Sequence, residues 1–279
     1  MGIYSVHFSP TGGTRAVADI LAAAFDAPVT DFELCRPEDE LKPLELTADD
    51  LCIVAVPSFG GRVPGLCTRR LRTIAGHGAT AVAVVVYGNR AYEDTLSELA
   101  ATLRGAGFRV PAAIAAIAEH SVIRRFASGR PDRNDAEVLT GFARRIAELY
   151  EQGKLTGEVT VPGSIPADIR TDGPMAVMPD ETCVRCGLCA AQCPAGAIDA
   201  LSARTDAALC MGCMRCVKIC PLRHAIWTRS ARPRWMRVLR RFAPSTVTMS
   251  FTSAPKPEED IYGRYLQTAL HDLTVSAAR

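Results

Sequence analysis

At 279 residues, 48% of them hydrophobic and 22% charged, the chain has the composition of a soluble globular protein and the length for two domains. A formal net charge of +2 is too small to argue for nucleic acid, and no apolar run approaches the roughly 20 residues of a membrane span. The opening MGIYSVHF lacks the basic and long apolar regions of a secretory signal, so a cytoplasmic, reducing location is expected; there, eleven cysteines suit metal binding better than disulfides.

From residue 2 to residue 150 the pattern alternates strand and helix. IYSVHF, APVTDFEL, LCIVAVP, TAVAVVVY and RVPAAIAAIA are short apolar runs rich in β-branched residues. Helix-length segments such as TRAVADILAAAF, AYEDTLSELAATLRGAG and DAEVLTGFARRIAELY lie between or after them, the last with Asn134 or Asp135 as its expected cap. Strands apolar on both faces and separated by helices imply a parallel sheet covered on both sides. Five in this order predict an α/β fold, a doubly wound five-stranded sheet of the flavodoxin type over residues 1–152, with a ligand beyond the carboxyl ends of its strands.

The loops at those ends carry the first candidates. Ser9-Pro10-Thr11-Gly12-Gly13-Thr14 follows the first strand and enters a helix, so hydroxyls, glycines and helix N–H groups converge as a phosphate requires. It has neither the lysine of an ATP P-loop nor the glycine spacing of a dinucleotide fold. After the third strand runs Pro57-Ser58-Phe59-Gly60-Gly61-Arg62-Val63-Pro64, and after the fourth Tyr87-Gly88-Asn89-Arg90-Ala91-Tyr92. Each sets an aromatic among glycines, and a flat ring held between them is the natural ligand. Glu119-His120-Ser121 opens a long insertion before the last helix, which makes His120 a candidate to reach a cofactor or substrate. His7, in the first strand, reads as a hydrogen-bonded core residue. Cys35, Cys52 and Cys67 read as small buried hydrophobes.

Residues 153–174 have the glycine and proline density of a linker. Residues 175–230 then state one cysteine rhythm twice, C-x2-C-x2-C-x3-C-P: first Cys183, Cys186, Cys189 and Cys193, then Cys210, Cys213, Cys216 and Cys220. This is the bacterial two-cluster ferredoxin run, in a small α+β domain, with the fourth cysteine of each set closing the other cluster. Two [4Fe-4S] clusters are expected, one on Cys183, Cys186, Cys189 and Cys220 and the other on Cys210, Cys213, Cys216 and Cys193. A zinc ribbon would use two separated C-x2-C pairs and has no need of the third cysteine or the proline. Residues 231–279 read as a basic amphipathic segment, suited to packing back on the protein or to an acidic partner or membrane surface, and a C-terminal tail.

The phrases FSPTGGTR, PSFGGRVP, VYGNRAYED, EHS and ASGRPD, with the doubled cysteine run, resemble a family of prokaryotic flavodoxin–ferredoxin fusion proteins over about residues 2–227. The resemblance implies an FMN-binding flavodoxin domain followed by a two-[4Fe-4S] ferredoxin domain. It implies that Ser9, Thr11, Gly12, Gly13 and Thr14 hold the FMN phosphate. Ser58, Phe59, Gly60 and Gly61 would line one side of the isoalloxazine, and the Tyr87 loop, with Gly88, Asn89 and Arg90, the other. Arg90 is the candidate to stabilise negative charge on the reduced ring, its alternative being a pairing with Glu93 or Asp94. Unlike the short acidic flavodoxins, this chain sets Arg62, Arg69, Arg70 and Arg72 near the second loop.

Such a chain would relay single electrons between clusters and a flavin that accepts one or two. An FMN-dependent oxidoreductase with an unidentified acceptor and a pure carrier between redox protein partners are both consistent with the sequence. Donor, acceptor and oligomeric state leave no trace in it.

Overall fold

The computed structural model describes residues 1–37, 40–170, 177–222, 225–226 and 249–253. The first half is built around β1 (Ile3–His7), β2 (Val29–Glu33), β3 (Leu51–Pro57), β4 (Thr80–Tyr87) and β5 (Arg109–Ile117), all parallel and in the order β2-β1-β3-β4-β5. Strands β3 and β4 are buried along their whole length, because helices cover both faces. On one face Val54, Val56 and Val85 pack with Leu99 and Leu103 of α3 (Thr95–Gly105) and with Cys67 and Leu71 of α2 (Gly65–Leu71). On the other, Ile53, Val84 and Ile114 pack with Val17 and Leu21 of α1 (Gly13–Ala22) and with Leu139 and Ile146 of α4 (Arg133–Glu151). Strand order 2-1-3-4-5 is the flavodoxin-like arrangement.

Two expectations are corrected here. Helix α4 is capped by Asp132, not by Asn134 or Asp135: its carboxylate accepts from the Asp135 N–H at 3.0 Å, while Asp135 accepts from the Asp132 N–H at 2.9 Å. The reciprocal box starts the helix earlier than the apolar periodicity shows. The sheet also has a sixth strand. Ser250–Ser253, strand β8, pairs antiparallel with β5, and Phe251 stacks on Phe142 of α4 with ring centroids 5.5 Å apart. Its sequence, SFTS, is too short and polar to announce a strand.

The segment after α4 is pinned across the first domain. The Val159 N–H donates to Val110 O at 2.8 Å, Ser97 Oγ donates to Ser164 O at 2.6 Å, and Arg62 reaches Asp168 O at 2.7 Å. The cysteine-rich unit follows. Strand β6 (Met178–Pro179) pairs antiparallel with β7 (Ala225–Ile226), and two single-turn helices, α5 (Leu188–Ala191) and α6 (Arg215–Ile219), lie against each other. Most of the basic segment expected at residues 231–279 lies outside the described residues, β8 excepted. Among the described residues no helix is long and apolar enough to cross a membrane.

Candidate functional site

At the carboxyl ends of β1, β3, β4 and β5 a shallow cleft opens. Its walls are Pro10, Thr11, Gly13 and Thr14 after β1, Ser58 and Phe59 after β3, Tyr87 and Gly88 at the end of β4, and Glu119, His120 and Ser121 after β5.

The phosphate-type loop has the required geometry. Gly12 is the N-cap of α1 at φ 95°, where a side chain would be strained, and makes no side-chain cap bond. Ser9 is buried and its Oγ accepts from the Arg15 N–H at 2.8 Å. Gly13 and Thr14 lie in the first turn of a ten-residue helix, where backbone N–H groups have no intrahelical partner and the helix dipole favours an anion.

The second and third loops are fixed by partners outside the cleft. Glu98 of α3, almost wholly buried, accepts from Arg62 Nε at 2.8 Å and from the Val63 N–H at 2.8 Å. Gly61 O accepts from the Asp94 N–H at 3.0 Å, and Ser58 and Thr95 hydroxyls bond at 2.7 Å. The loop is thus tied to the start of α3, which sets Phe59 at the cleft. Gly60 and Gly61 turn the chain behind it and do not line the cleft.

His120 lies on the wall, and its ring occupies the place a side chain on Gly88 would take, with His120 Cβ only 2.6 Å from that position. Its Nδ1 accepts from the Val122 and Ile123 N–H groups at 3.1 and 3.2 Å, which leaves the proton on Nε2. Burial, aided by the Arg90 charge, holds the imidazole below its ordinary pKa and therefore neutral. Arg90 itself lies outside the cleft walls, about half exposed, and donates to Glu93 at 2.5 Å, the alternative pairing named for it. Two polar atoms nearby are buried without a hydrogen-bond partner among the described residues, the Tyr87 hydroxyl and Asn89 Oδ1. Burial pushes the Tyr87 phenol up to about 12, so it stays a donor.

The eight cysteines of the doubled run surround two cavities. Cys183, Cys186, Cys189 and Cys220 line one, whose wall Cys216 also reaches; Cys193, Cys210, Cys213 and Cys216 line the second. Among the described residues no three cysteine, histidine or carboxylate side chains converge as a single metal ion would need; the sulfurs stand around each cavity instead. Burial pushes the Cys213 thiol far up and Cys216 up to about 12, so only a bound cationic centre would favour their thiolates.

A family model for the 4Fe-4S dicluster domain matches residues 175–221. The second unit is a 4Fe-4S dicluster domain. No curated protein matches the chain. Among solved structures, a Streptococcus pneumonia TIGR4 flavodoxin is 19% identical with a TM-score of 0.38, covering 53% of this chain and 99% of its own. A flavodoxin from the Archaea is 16% identical, with TM-score 0.39 and coverage of 54% and 99%. An NADH:FMN oxidoreductase in its apo form is 18% identical, with TM-score 0.39 and coverage of 53% and 88%. The flavodoxin-like assignment of the first half rests on its strand order. One chain therefore joins a flavodoxin-like domain to a dicluster ferredoxin domain, a pairing that points to electron transfer.

Both candidate groups fit the residues present. Four soft sulfur donors surround each cysteine cavity, as an iron-sulfur cube requires. The cleft offers an N–H-lined anion end at Gly13 and Thr14 and an aromatic at Phe59, as FMN requires. Of the residues anticipated there, Thr11, Gly13, Thr14, Ser58, Phe59, Tyr87, Gly88 and His120 meet at the cleft. Ser9, Gly12, Gly60, Gly61, Asn89 and Arg90 stand behind or beside it. Sequence reading missed Glu119 as a wall residue and Glu98 as the anchor of the second loop. Glu98 looks like any solvated helix residue until Arg62 is seen to fold back on it.

Proposed function

We propose that this protein is an iron-sulfur flavoprotein that relays electrons between two [4Fe-4S] clusters and FMN and passes them to an acceptor as an FMN-dependent oxidoreductase. The observation that carries this reading is the presence, in one chain, of two four-cysteine cavities and a cleft closed at one end by a helix N-terminus. When bound, FMN supplies a carrier that takes one or two electrons, and each cluster one that takes a single electron. Joining them in one chain replaces encounters between proteins with a tethered exchange at high effective concentration.

The protein's own residues have defined parts in this reading. Thr11, Gly13 and Thr14 bind the phosphate, and Gly12 permits the turn that presents them. Phe59 and Tyr87 wall the ring and exclude water. His120 holds a proton on Nε2 at the cleft wall, a hydrogen-bond donor for the ring or for an acceptor. The eight cysteines hold the clusters in the crossed sets that line the two cavities.

A protein donor suits the other end of the relay. Val184, Leu188 and Leu222, near the cavity of Cys183, Cys186, Cys189 and Cys220, are exposed. That observation also supports the second reading, a carrier between two proteins. Anaerobic reconstitution tests both: about eight irons and one FMN per chain are expected, with the flavin bleached after the clusters are reduced. Oxidation of the reduced protein by small acceptors supports the enzyme; oxidation only by partner proteins supports the carrier. Recovery of FAD, or of no flavin in excess FMN, overturns both.

A further inference from the structure

Arg70, on α2, is 5% exposed, yet its charge lies at the junction of the two domains. One guanidinium nitrogen donates to Leu34 O at 2.5 Å, just after β2, and another donates to Pro194 O at 2.8 Å, the residue after Cys193. Arg215 on α6 repeats the link, reaching Glu33 at 3.1 Å and Gln192 at 2.7 Å. Both bridges therefore join the end of β2 to the loop around Cys193. Desolvating a guanidinium is costly unless negative charge or carbonyl dipoles compensate it. Two carbonyls do so here, and four thiolates around one cube would add net negative charge beside it.

The same cysteine set is also packed on the first domain at the carboxyl-end side of its sheet. Met211 and Cys213 are buried in the apolar cluster that also holds Phe8, just after β1, and Cys35, just after β2. Cys35 is 1% exposed, so that side of the junction is dry.

We propose that Arg70 is the positioning residue that seats the cluster of Cys193, Cys210, Cys213 and Cys216 on the flavodoxin-like domain and raises its reduction potential, making it the flavin-facing cluster. This rests on the reading of both cysteine sets as cluster sites and of the cleft as an FMN site. Each transfer moves one electron. The flavin-facing cluster is oxidised by one, the flavin is reduced by one, and the cluster is refilled from the outer one, which draws on a low-potential one-electron protein donor. Net charge and hydrogen bonding near the sulfurs are what set such potentials.

The test uses the full chain reconstituted with iron, sulfide and FMN, as wild type, Arg70→Gln and Arg70→Lys. Cys186→Ala, which disables the outer cluster, serves as a background in which the remaining four-iron signal is assigned. Cluster potentials are read by titration with spin-resonance detection, and flavin reduction by stopped flow. Arg70→Gln is expected to shift the one-electron equilibrium of the flavin-facing cluster about tenfold towards the oxidised form, which is about 59 mV lower. The outer cluster should not move, and Arg70→Lys should restore most of the shift.

Unchanged potentials in a fully loaded Arg70→Gln protein, or a shift confined to the outer cluster, overturn the proposal. If Arg70→Gln fails to assemble, Arg70→Lys decides. Two clusters with slower flavin reduction and a retained potential support the seating role, and wild-type behaviour in every respect overturns it. A wild type that binds no FMN or fewer than two clusters is a separate result, which defeats the underlying function instead.

Discussion

The two halves of this protein are held together by different means. In the flavodoxin-like half, β3 and β4 are buried from end to end, and two apolar clusters sandwich them. In the dicluster half, α5 and α6 are four and five residues long and bury none of their residues, while Leu201, Val184 and Leu209 are exposed. Helices that short have no stability of their own in water, and so few buried apolar groups cannot offset the entropy of ordering the chain. The first half is thus folded by burial, and the second, on the cluster reading, by metal ligation. Stability and function are separable in the first half and fused in the second.

The largest effect should come from removing iron. Chelation under reducing conditions is expected to unfold residues 177–222 and leave the sheet intact, because metal-binding energy is folding energy where few apolar groups are buried. Hydrogen exchange by region checks it: fast exchange in the cysteine loops beside unchanged protection in β3 and β4. Equal protection in both halves after iron loss would erase the contrast. Next comes Leu99→Ala, in the fully buried part of α3. Its expected cost is about 2–5 kcal/mol in the denaturant unfolding of the first half. Iron content should be unchanged, since the lesion lies in the half that burial holds.

The same contrast explains what the sequence made legible. Apolar periodicity announces the strands and helices of the first half, because hydrophobic burial is what builds them. The cysteine spacing announces the second, because ligand geometry builds it. What stayed hidden were the polar ties between segments distant in sequence. Arg62 to Glu98, Arg70 to Pro194 and Arg215 to Glu33 each join residues whose separation follows no local period. Strand β8 was hidden for a related reason: four mostly polar residues pair with an edge that β5 leaves open. The cleft was legible as three loops, but which loop residues face inward depends on those ties. Glu93 packing beside Gly61 and pairing with Arg90 is the clearest instance.

A smaller effect should separate the cleft from the core below it. Burial holds His120 below its ordinary value of 6.5, with Arg90 adding to the shift. The unfolded chain therefore binds this proton more readily than the folded one. The contribution of neutral His120 to stability is complete above pH 6.5 and is lost as pH falls from there towards the lowered folded value. His120→Gln should flatten the stability profile of the first half between pH 8 and pH 5. An acid-side loss as steep as in wild type would place the proton uptake elsewhere.

The smallest effect concerns Arg90. Its guanidinium is about half exposed and bonded to the similarly exposed carboxylate of Glu93, three residues along the same loop. Exposed pairs of this kind contribute about 0.2–1 kcal/mol, since water screens the charges and both side chains lose freedom. Arg90→Ala should therefore lower stability by no more than that. It should also leave FMN affinity and flavin potential close to wild type, because Glu93 already neutralises the charge and the side chain is outside the cleft walls. One influence survives the pairing: the Arg90 charge helps keep His120 neutral, so Arg90→Ala should move the His120 titration upward. Proton resonance of the imidazole across pH 5 to 8 would follow it. A large fall in flavin potential in this variant would show that Arg90 leaves Glu93 for the ring when FMN binds, and would return it to the machinery of the cleft.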